Sequence, residues 1–284
     1  MISFIILNYK SYQDTILCIE SILKIKTKIK KSIIIVDNAT LNKKELKKLR
    51  EYTQDIILLD ENIGFAKGNN IGCRYAIEKY NSDFLCVLNS DIEIHQEDFI
   101  DKIYEIDKKY HFDVLGPKIL PEELDSCNPF PAYTDIKQVK KKINYTKTLI
   151  FIYQILPLRY LLSLYLKRNR KKIHEPLKNG REVMEKVPLH CCALIFSKKY
   201  YEKYTDVFYN KTFLFHEEEF LYQRCLRDNL VFLYHPKIEL LHKEGKSLDK
   251  KYKNDKYKKI IFKNKEILKS LKLLKKVMKQ GREI

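Results

Sequence analysis

The chain lacks closely spaced cysteines and is poor in glycine and proline. Its 284 residues include seven glycines and eight prolines, too few for low-complexity disorder. The seven cysteines, at positions 18, 73, 86, 127, 191, 192 and 225, form no Cys-x-x-Cys pair, which excludes a zinc site built on such pairs. Because several of them lie within apolar runs, we interpret them as reduced, mostly buried thiols of an intracellular protein.

Long uncharged apolar runs are also scarce. The N-terminal run at 2–7 has only six residues and no basic residues before it, so it predicts a core strand rather than a signal peptide. Segment 148–166, TLIFIYQILPLRYLLSLYL, contains Pro157 and Arg159 near its middle and barely reaches the roughly 20 residues that a membrane span needs. We favour an interfacial or re-entrant helical hairpin, with a soluble subdomain and a membrane span as alternatives.

Positive charge is abundant but unevenly placed. The net charge is +18, of which residues 137–186 carry +11 and residues 243–284 carry +11, while the rest of the chain carries −4. Segregation of this kind is typical of proteins that bind nucleic acid or rest on an anionic membrane. Because the remainder is acidic and no nucleic-acid motif is present, we expect an anionic membrane surface as partner and no nucleic acid.

Apolar runs and helix-spaced patterns alternate along the first 120 residues. Strands are predicted at 2–7, 32–38, 55–61, 83–91 and 113–119, helices at 14–24, 42–51, 70–80 and 96–109, and a glycine-containing loop at 62–70. Near-continuous apolar strands that alternate with helices predict an α/β fold: a mostly parallel sheet with helices on both faces.

The remainder of the chain divides into three further segments. Residues 121–186 interrupt the alternation as a basic, partly hydrophobic helical insertion. Residues 187–247 return to a strand, a helix with an acidic first turn and a second strand, which completes the domain begun at 1–120. Residues 248–284 form a basic amphipathic helical tail, whose apolar stripe either packs on the core or lies on a membrane surface.

Polar residues collect where the predicted parallel strands end. These residues are Asn8-Tyr9, Asp37-Asn38, Glu61-Asn62 and Asn89-Ser90-Asp91. Ligands of open α/β sheets bind at the carboxyl ends of the strands, so four consecutive polar ends outline a cleft. Asp91 suits a hard divalent cation such as Mg²⁺ or Mn²⁺, with a helix N-cap as the alternative. Asp37 either binds a base or ribose or caps helix 42–51.

Three consecutive glutamates, Glu217, Glu218 and Glu219, precede an amphipathic helix. Acidic residues are favoured at a helix N-terminus by the helix dipole, which explains them without any catalytic role. Apolar neighbours at 213–215 and 220 would instead raise the pKa of a partly desolvated glutamate and suit it to act as a general base. His242 ends an apolar strand, where a histidine is more often a hydrogen-bonded core residue than a ligand.

Six motifs, in order, carry a family resemblance. They are IILNYKS near the N-terminus, VDNAT at 36–40, ENIGFAKGNN at 61–70, LNSD at 88–91, FLFHEEEFLYQR at 213–224 and HKEGKS at 242–247. Together they resemble the family 2 glycosyltransferases, and most closely the rhamnosyltransferase-like branch of bacterial surface-polysaccharide synthesis. The resemblance covers about residues 1–120 and 187–247. The string NIGFAKGNNIG and its spacing to LNSD are its most specific part.

The resemblance implies a GT-A fold and assigns roles at the cleft. Asp37 looks like the carboxylate that reads the nucleobase, and Asn8 and Tyr9 look like the lining of the nucleoside. Further donor contacts are implied for Asn38, Asn62, Gly64, Lys67, Gly68, Asn69, Asn70 and Asn89. Asp91 resembles the last residue of a DxD-type motif that holds Mg²⁺ or Mn²⁺ on the diphosphate, with His242 completing the metal site. Because the motif here is Asn-Ser-Asp, only one carboxylate remains.

The same resemblance places the catalytic base in the acidic motif. We assign it to Glu218, with Glu217 next, and note that His190-Cys191-Cys192 replaces the small-residue acceptor turn of the family. The implied reaction is an inverting transfer from a UDP- or dTDP-linked sugar to a hydroxyl of a lipid-linked saccharide acceptor. We expect the protein in the cytoplasm, at the inner face of the cell membrane. The alternatives are a non-catalytic nucleotide-sugar binder and, less favoured, a nucleic-acid-binding protein.

Overall fold

One mixed β-sheet organises the chain. The computed structural model describes residues 1–121, 128–133, 135–155, 182–243 and 255–280. The strands are β1 Ile2–Asn8, β2 Lys31–Asp37, β3 Ile56–Leu58, β4 Phe84–Asn89, β5 Ile92–Glu93, β6 Val114–Pro121, β7 Met184–Glu185, β8 Ala193–Ser197 and β9 Phe232–His242. The helices are α1 Tyr12–Leu23, α2 Lys43–Leu49, α3 Phe65–Tyr80, α4 Phe99–Tyr110, α5 Ile136–Gln154, α6 Lys198–Lys203, α7 Glu217–Asp228 and α8 Lys256–Gln280.

The first half of the sheet is parallel. Its strand order is β3-β2-β1-β4, and the register places Asn8 opposite Asp37 and Leu7 opposite Asn89. Strands β1, β2 and β4 therefore end at the same edge, which brings their polar termini together. The predicted polar cleft lies at this edge.

The second half of the sheet is mixed. Strand β8 runs antiparallel between β4 and β6, β9 pairs in parallel with β6, and the short β5 and β7 pair antiparallel with β9. This topology returns the end of β9 to the residues that follow β4. The α/β class and the sheet with helices on both faces are confirmed, with antiparallel pairs confined to this half of the sheet.

Helices cover both faces of the sheet because the strands present apolar side chains to each face. In β1, Phe4 and Ile6 pack into one core beneath α1 and α4, while Ile5 packs into the other beneath α3. The six cysteines within the described residues are buried free thiols, as the sequence predicted for them. Two dry cores hold the sheet in place and position the edge where the strands end.

Two element boundaries differ from those predicted. The segment 62–70 is not a loop throughout, because helix α3 begins at Phe65. Gly64, at φ 92°, ends the loop, and the Asn69 side-chain amide donates to the Phe65 carbonyl within the first turns of the helix. The strand predicted at 55–61 is confined to Ile56–Leu58, where it forms a short edge of the sheet.

Helices α5, α7 and α8 share a third, smaller core. Val139 and Ile143 of α5 meet Leu271 and Leu274 of α8 and Phe220 of α7. The apolar stripe of the tail therefore packs on the protein, which decides between the two alternatives for that stripe. The membrane hairpin predicted at 148–166 begins in the last turns of α5, and its residues from 156 on lie outside the described residues. Among the described residues, no helix is long and apolar enough to cross a bilayer.

Candidate active site

A cleft with a cavity volume of about 190 Å³ opens where β1, β2 and β4 end. It is lined by Leu7, Tyr9, Ser11, Asp14, Asn38, Asn62, Gly64, Phe65, Asn89, Ser90, Asp91, Phe213, Leu214, Phe215 and Phe262. Six of the residues predicted to form the site are among these: Tyr9, Asn38, Asn62, Gly64, Asn89 and Asp91. The structure thus brings together residues from four separate motifs of the sequence.

Asp91 and His242 form a pair at the mouth of this cleft. The Asp91 Oδ2 lies 3.3 Å from the His242 Nε2, and both side chains are largely shielded from solvent. The pairing of Ile92 with His242 between β5 and β9 sets this distance, and the Lys243 N–H donates to the Asp91 carbonyl at 3.0 Å. No helix begins at Asp91, since β5 follows it, so the alternative of a helix cap is wrong.

Asp91 and His242 offer two ligand groups to a divalent cation. One carboxylate and one imidazole lie together, and within the described ranges no group of three His, Cys, Asp or Glu side chains is placed to hold an ion. Mg²⁺ is commonly held by one or two carboxylates together with substrate phosphates, and keeps several waters. Asp91 and His242 fit a cation that takes its remaining ligands from a bound diphosphate.

Burial separates the three consecutive glutamates. Glu217 is 6% exposed and Glu219 is 2% exposed, whereas Glu218 is partly open to solvent. Burial raises the pKa of Glu217 to about 8, against a hydrogen bond from Thr212 that lowers it. Burial likewise raises the pKa of Glu219 to about 7, and its Oε2 accepts from the Tyr133 N–H at 2.9 Å. Glu218 is the one of the three whose side chain is partly open to solvent, and none of the three is among the lining residues of the cleft.

The backbone just before these glutamates is strained. Phe215 and His216 both adopt left-handed conformations, with φ of 73° and 70°. Non-glycine residues in this region are uncommon, each at a penalty on the order of 1–3 kcal/mol, and such strain concentrates at functional sites. The double turn redirects the chain from the cleft wall at Phe213 into helix α7 and sets where Glu218 lies.

His190 lies among the charged groups of the site. Burial lowers the pKa of its imidazole, while the nearby carboxylates of Glu218 and Asp91 act in the opposite direction and His242 adds to the lowering. The rings of His190 and His242 are 6.3 Å apart. In the sequence, His190 stands out only as a departure from the family pattern. The structure places His190 beside His242, and the charges of Glu218 and Asp91 both act on the pKa of its imidazole.

The side chains of Asn8 and Asp37 form hydrogen bonds with each other and with nearby residues of the chain. The Asn8 Nδ2 donates to Asp37 Oδ1 at 2.7 Å, and both side chains are buried. Asp37 also accepts from the Thr40 N–H at 2.8 Å, the Thr40 hydroxyl at 2.9 Å and the Leu41 N–H at 3.0 Å. Helix α2 is capped by Asn42 rather than Asp37, so the capping alternative for Asp37 is wrong. Neither side chain lines the cleft, and their assigned donor contacts stay predictions.

Asn38, Asn62 and Gly64 shape one wall of the cleft. The Asn38 Nδ2 donates to Asn62 Oδ1 at 3.0 Å and its Oδ1 accepts from the Ile63 N–H at 2.9 Å. A Cβ on Gly64 would lie 2.3 Å from the Phe213 carbonyl oxygen, which also accepts from the Phe65 N–H at 2.8 Å. Only glycine allows the two walls to approach this closely.

Four further residues of this motif lie outside the lining of the cleft: Lys67, Gly68, Asn69 and Asn70. Lys67 is exposed, and Gly68 packs against the side chain of Leu7. Asn69 is fully buried, and the buried Asn70 exchanges two hydrogen bonds with the Phe208 backbone, at 2.8 and 2.9 Å. None of the four is among the lining residues of the cleft, and their assigned donor contacts stay predictions.

Sequence reasoning missed the aromatic part of the cleft. Phe65, Phe213, Phe215 and Phe262 all line it. The string FLFH before the glutamates was a signal for Phe213 and Phe215, because apolar residues just before an acidic helix start need a burial site. Phe262 comes from helix α8, and no local feature of the tail predicted that it would reach this cleft.

Comparison with known proteins identifies a family whose model matches this chain. The model of the family described as Glycosyl transferase family 2 matches residues 3–159, more than half of the chain. A low-salt glycan biosynthesis hexosyltransferase of Haloferax volcanii, Agl10, is 33% identical over 137 residues, which are 46% of this chain and 40% of that protein.

Solved structures share the fold. The crystal structure of Staphylococcus aureus TarS 1–349 matches with a TM-score of 0.55 at 13% identity, over 88% of this chain and 62% of that one. The same TarS fragment in complex with UDP matches with a TM-score of 0.53 at 12% identity, over 93% of this chain and 64% of that one. The chain therefore spans less than two thirds of the length of each of these proteins.

Proposed function

This chain belongs to glycosyl transferase family 2, and from that premise we propose that it transfers a sugar from a nucleotide-diphospho-sugar to a hydroxyl of a saccharide acceptor. The observation that carries the proposal is the Asp91–His242 pair at the carboxyl edge of the parallel strands, with the His190 ring 6.3 Å from that of His242. The partly exposed Glu218 lies in the first turn of α7. A carboxylate for the diphosphate side and a separate carboxylate for the acceptor side are what this reaction requires.

Glu218 acts as the general base in the proposed reaction. Its carboxylate takes the proton of the acceptor hydroxyl as that oxygen attacks the anomeric carbon. The new C–O bond forms on the face opposite the nucleotide, the bond to the diphosphate breaks, and its electron pair leaves with the diphosphate. The sugar is transferred with inversion at the anomeric carbon.

Asp91 and His242 are the proposed holders of a Mg²⁺ or Mn²⁺ ion. When bound, such an ion supplies positive charge that stabilises the negative charge developing on the departing diphosphate. The Asp91 carboxylate provides the hard oxygen ligand, and the partly buried setting of the pair strengthens its attraction for a cation. Asn89 lines the cleft beside this pair and contributes an amide rather than a second carboxylate.

The aromatic wall of the cleft suits the nucleoside and sugar of the donor. Tyr9 and Phe65 present rings to the space that Asn38 and Asn62 bound with polar groups, a mixture typical of small-molecule sites. The similar TarS fragment has been crystallised with UDP and with UDP-GlcNAc, which supports a UDP-linked donor here, with a dTDP-linked donor as the alternative. The transferred group is a hexose or a deoxyhexose such as rhamnose.

The acceptor is proposed to be a lipid-linked saccharide of a cell-surface glycan, reached at the anionic inner face of the cell membrane. The similar Haloferax volcanii protein is named for glycan biosynthesis and hexosyl transfer, which supports a glycan acceptor. The segregation of positive charge supports the membrane location.

A thermal-shift screen followed by donor hydrolysis tests the proposal. Purified protein is melted with UDP, dTDP, GDP and each of their sugar conjugates, with and without Mn²⁺. A rise in Tm with one nucleotide diphosphate, followed by slow hydrolysis of its sugar conjugate, is the expected result. Binding without any turnover would favour a non-catalytic nucleotide-sugar binder, and the absence of any shift would contradict the proposal.

A further inference from the structure

Helix α8 carries a row of lysines on the face opposite its buried stripe. Its 25 residues include ten lysines and one acidic residue, Glu266. Six of these lysines follow a spacing of seven, four, three, four and three residues, which places them on one face of a helix: Lys258, Lys265, Lys269, Lys272, Lys276 and Lys279. All six are exposed. At 1.5 Å per residue the row extends about 32 Å along the helix.

The packing of α8 explains why this row faces outward. Leu271, Leu274 and Val277 are buried against α5 and α7. With these residues turned inward, the helix can only present the lysine row to solvent. Two of the six lysines have an acidic partner on the helix or just before it: Lys258 with Asp255 and Lys269 with Glu266. Within the part of the chain that the structure describes, the other four make no ion pair.

Helix α5, which packs against α8, is also basic. It contains five lysines and no acidic residue. It also exposes two aromatic rings, Tyr145 at 55% and Phe151 at 60%. Lysines beside exposed rings are typical of helices that lie on a bilayer, where the ring enters the headgroup region and the ammonium groups meet lipid phosphates.

We propose that the lysine row of α8, assisted by α5, docks this protein on an anionic lipid bilayer. The charge complementarity is direct, since a row about 32 Å long meets a planar surface of negative headgroups. A nucleic-acid ligand is less suited, because neither helix contains an arginine, the residue that binds phosphates with paired hydrogen bonds. This inference rests on the proposed function, because docking brings the cleft to an acceptor that is linked to lipid.

The position of α8 links docking to the cleft. Phe262 of this helix lines the cleft, and the Lys263 ammonium lies 5.6 Å from the ring centre of Phe215, which also lines it. The Ser270 hydroxyl donates to the Leu214 carbonyl at 3.2 Å. One helix therefore holds both the lysine row and a wall of the cleft. Docking through α8 fixes how the cleft is presented to an acceptor in the same membrane.

Vesicle sedimentation with two charge-matched variants tests the proposal. The docking variant replaces the four lysines that lack an ion pair with glutamine, which has a similar helix propensity: Lys265→Gln, Lys272→Gln, Lys276→Gln and Lys279→Gln. The control variant removes the same charge elsewhere, from exposed lysines at or near α1 and α2: Lys24→Gln, Lys43→Gln, Lys44→Gln and Lys47→Gln. Each protein is mixed, without sugar donor, with vesicles of phosphatidylcholine alone or of equal parts phosphatidylcholine and phosphatidylglycerol.

Wild-type protein is expected to bind the phosphatidylglycerol vesicles at low salt and to be released by high salt, with no binding to phosphatidylcholine alone. Since each lysine near an anionic surface contributes about fivefold in affinity, the loss of four should weaken binding by up to roughly 600-fold, and the control variant should bind nearly as wild type. Equal losses in both variants would show that net charge alone is responsible and would overturn the proposal.

Two further measurements distinguish lipid docking from the proposed catalytic function and from nucleic-acid binding. Donor hydrolysis in solution should be unchanged in the docking variant. If the wild-type protein hydrolyses the donor but does not bind the phosphatidylglycerol vesicles, docking is overturned while the proposed function stands. A single-stranded RNA is added as competitor. If RNA binds the wild type more tightly than the vesicles do, and the docking variant loses that binding, the row is a nucleic-acid face and the lipid proposal is wrong.

Discussion

The Asp91 carboxylate lies 3.3 Å from the His242 imidazole, although the two residues are far apart in the chain. Strand β9 brings them together, because its last residue pairs with the strand that follows Asp91. The pair stands at the carboxyl edge of the parallel strands, where a negatively charged diphosphate would meet the protein. In the proposed reaction a diphosphate leaves at this edge, and a cation held by the pair would stabilise its charge. The first prediction tests this proposed role.

Replacing Asp91 by asparagine or His242 by alanine should weaken Mn²⁺ binding. Loss of a group that holds or orients a metal ligand set commonly lowers metal affinity by about 10- to 100-fold. Isothermal titration of the protein with Mn²⁺ in the presence of UDP measures the effect. Asp101→Asn is a suitable control. Asp101 lies on α4, accepts a hydrogen bond from the Thr27 hydroxyl and does not line the cleft. Unchanged Mn²⁺ affinity in both variants would contradict the proposed site.

Glu218→Gln should abolish most sugar transfer without weakening donor binding. Removing a general base typically lowers the rate by a factor on the order of 10² to 10⁴, whereas the amide keeps the size of the side chain. The rate of transfer and the Kd of the donor are measured side by side. Glu219→Gln is the matched control, because its side chain is buried and accepts a hydrogen bond that glutamine can also accept. If the control loses more activity than Glu218→Gln, the base has been assigned to the wrong glutamate.

Glu217 should make the stability of the protein depend on pH. Its pKa is about 8 in the folded state, against 4.5 as its ordinary value, because burial disfavours the charged carboxylate. Between these two pH values the unfolded chain gives up the proton more readily than the folded one. The free energy of unfolding should therefore fall as pH rises from about 4.5 to about 8, and this contribution should level off above that range.

Glu217→Gln removes the ionisation and isolates this effect. The difference in Tm between the variant and the wild type should grow in favour of the variant as pH rises from 5 to 8 (roughly the window set by the two pKa values). The contribution of Glu219, whose pKa of about 7 is raised for the same reason, is present in both proteins and cancels. Parallel Tm profiles for the two proteins would show that Glu217 is not held protonated by burial.

Gly64→Ala should destabilise the protein and weaken donor binding together. The added Cβ would meet the backbone of Phe213, and the φ of 92° is unfavourable for alanine, so a loss of at least about 1–3 kcal/mol in the free energy of unfolding is expected. Gly68→Ala is the control. Its Cβ would meet only the end of the flexible Leu7 side chain, and alanine favours the helix in which it lies. Urea unfolding distinguishes the two variants. The donor Kd is measured for Gly64→Ala alone, because the donor contact assigned to Gly68 stays a prediction.

Local patterns in the sequence were sufficient for most of the elements. Apolar runs and helix-spaced stripes predicted β1, β2, β4 and the helices around them, because burial of a strand on both faces requires continuous apolar residues. They failed at 62–70, where glycines and asparagines are typical of a loop. There the amides of Asn69 and Asn70 find backbone partners that only the folded chain supplies, and helix α3 extends to Phe65.

The sequence by itself determined the fold class, the family and the polar strand ends, because each depends on residues that are close together in the chain. Only the tertiary structure decided which of these groups meet. It paired Asp91 with His242, left Glu218 accessible between two buried glutamates, closed Asn8 and Asp37 on each other, and placed Phe262 in the cleft. Those outcomes depend on sheet order, on desolvation and on the packing of α8 against α5, which couple residues that are remote in sequence and leave no local pattern.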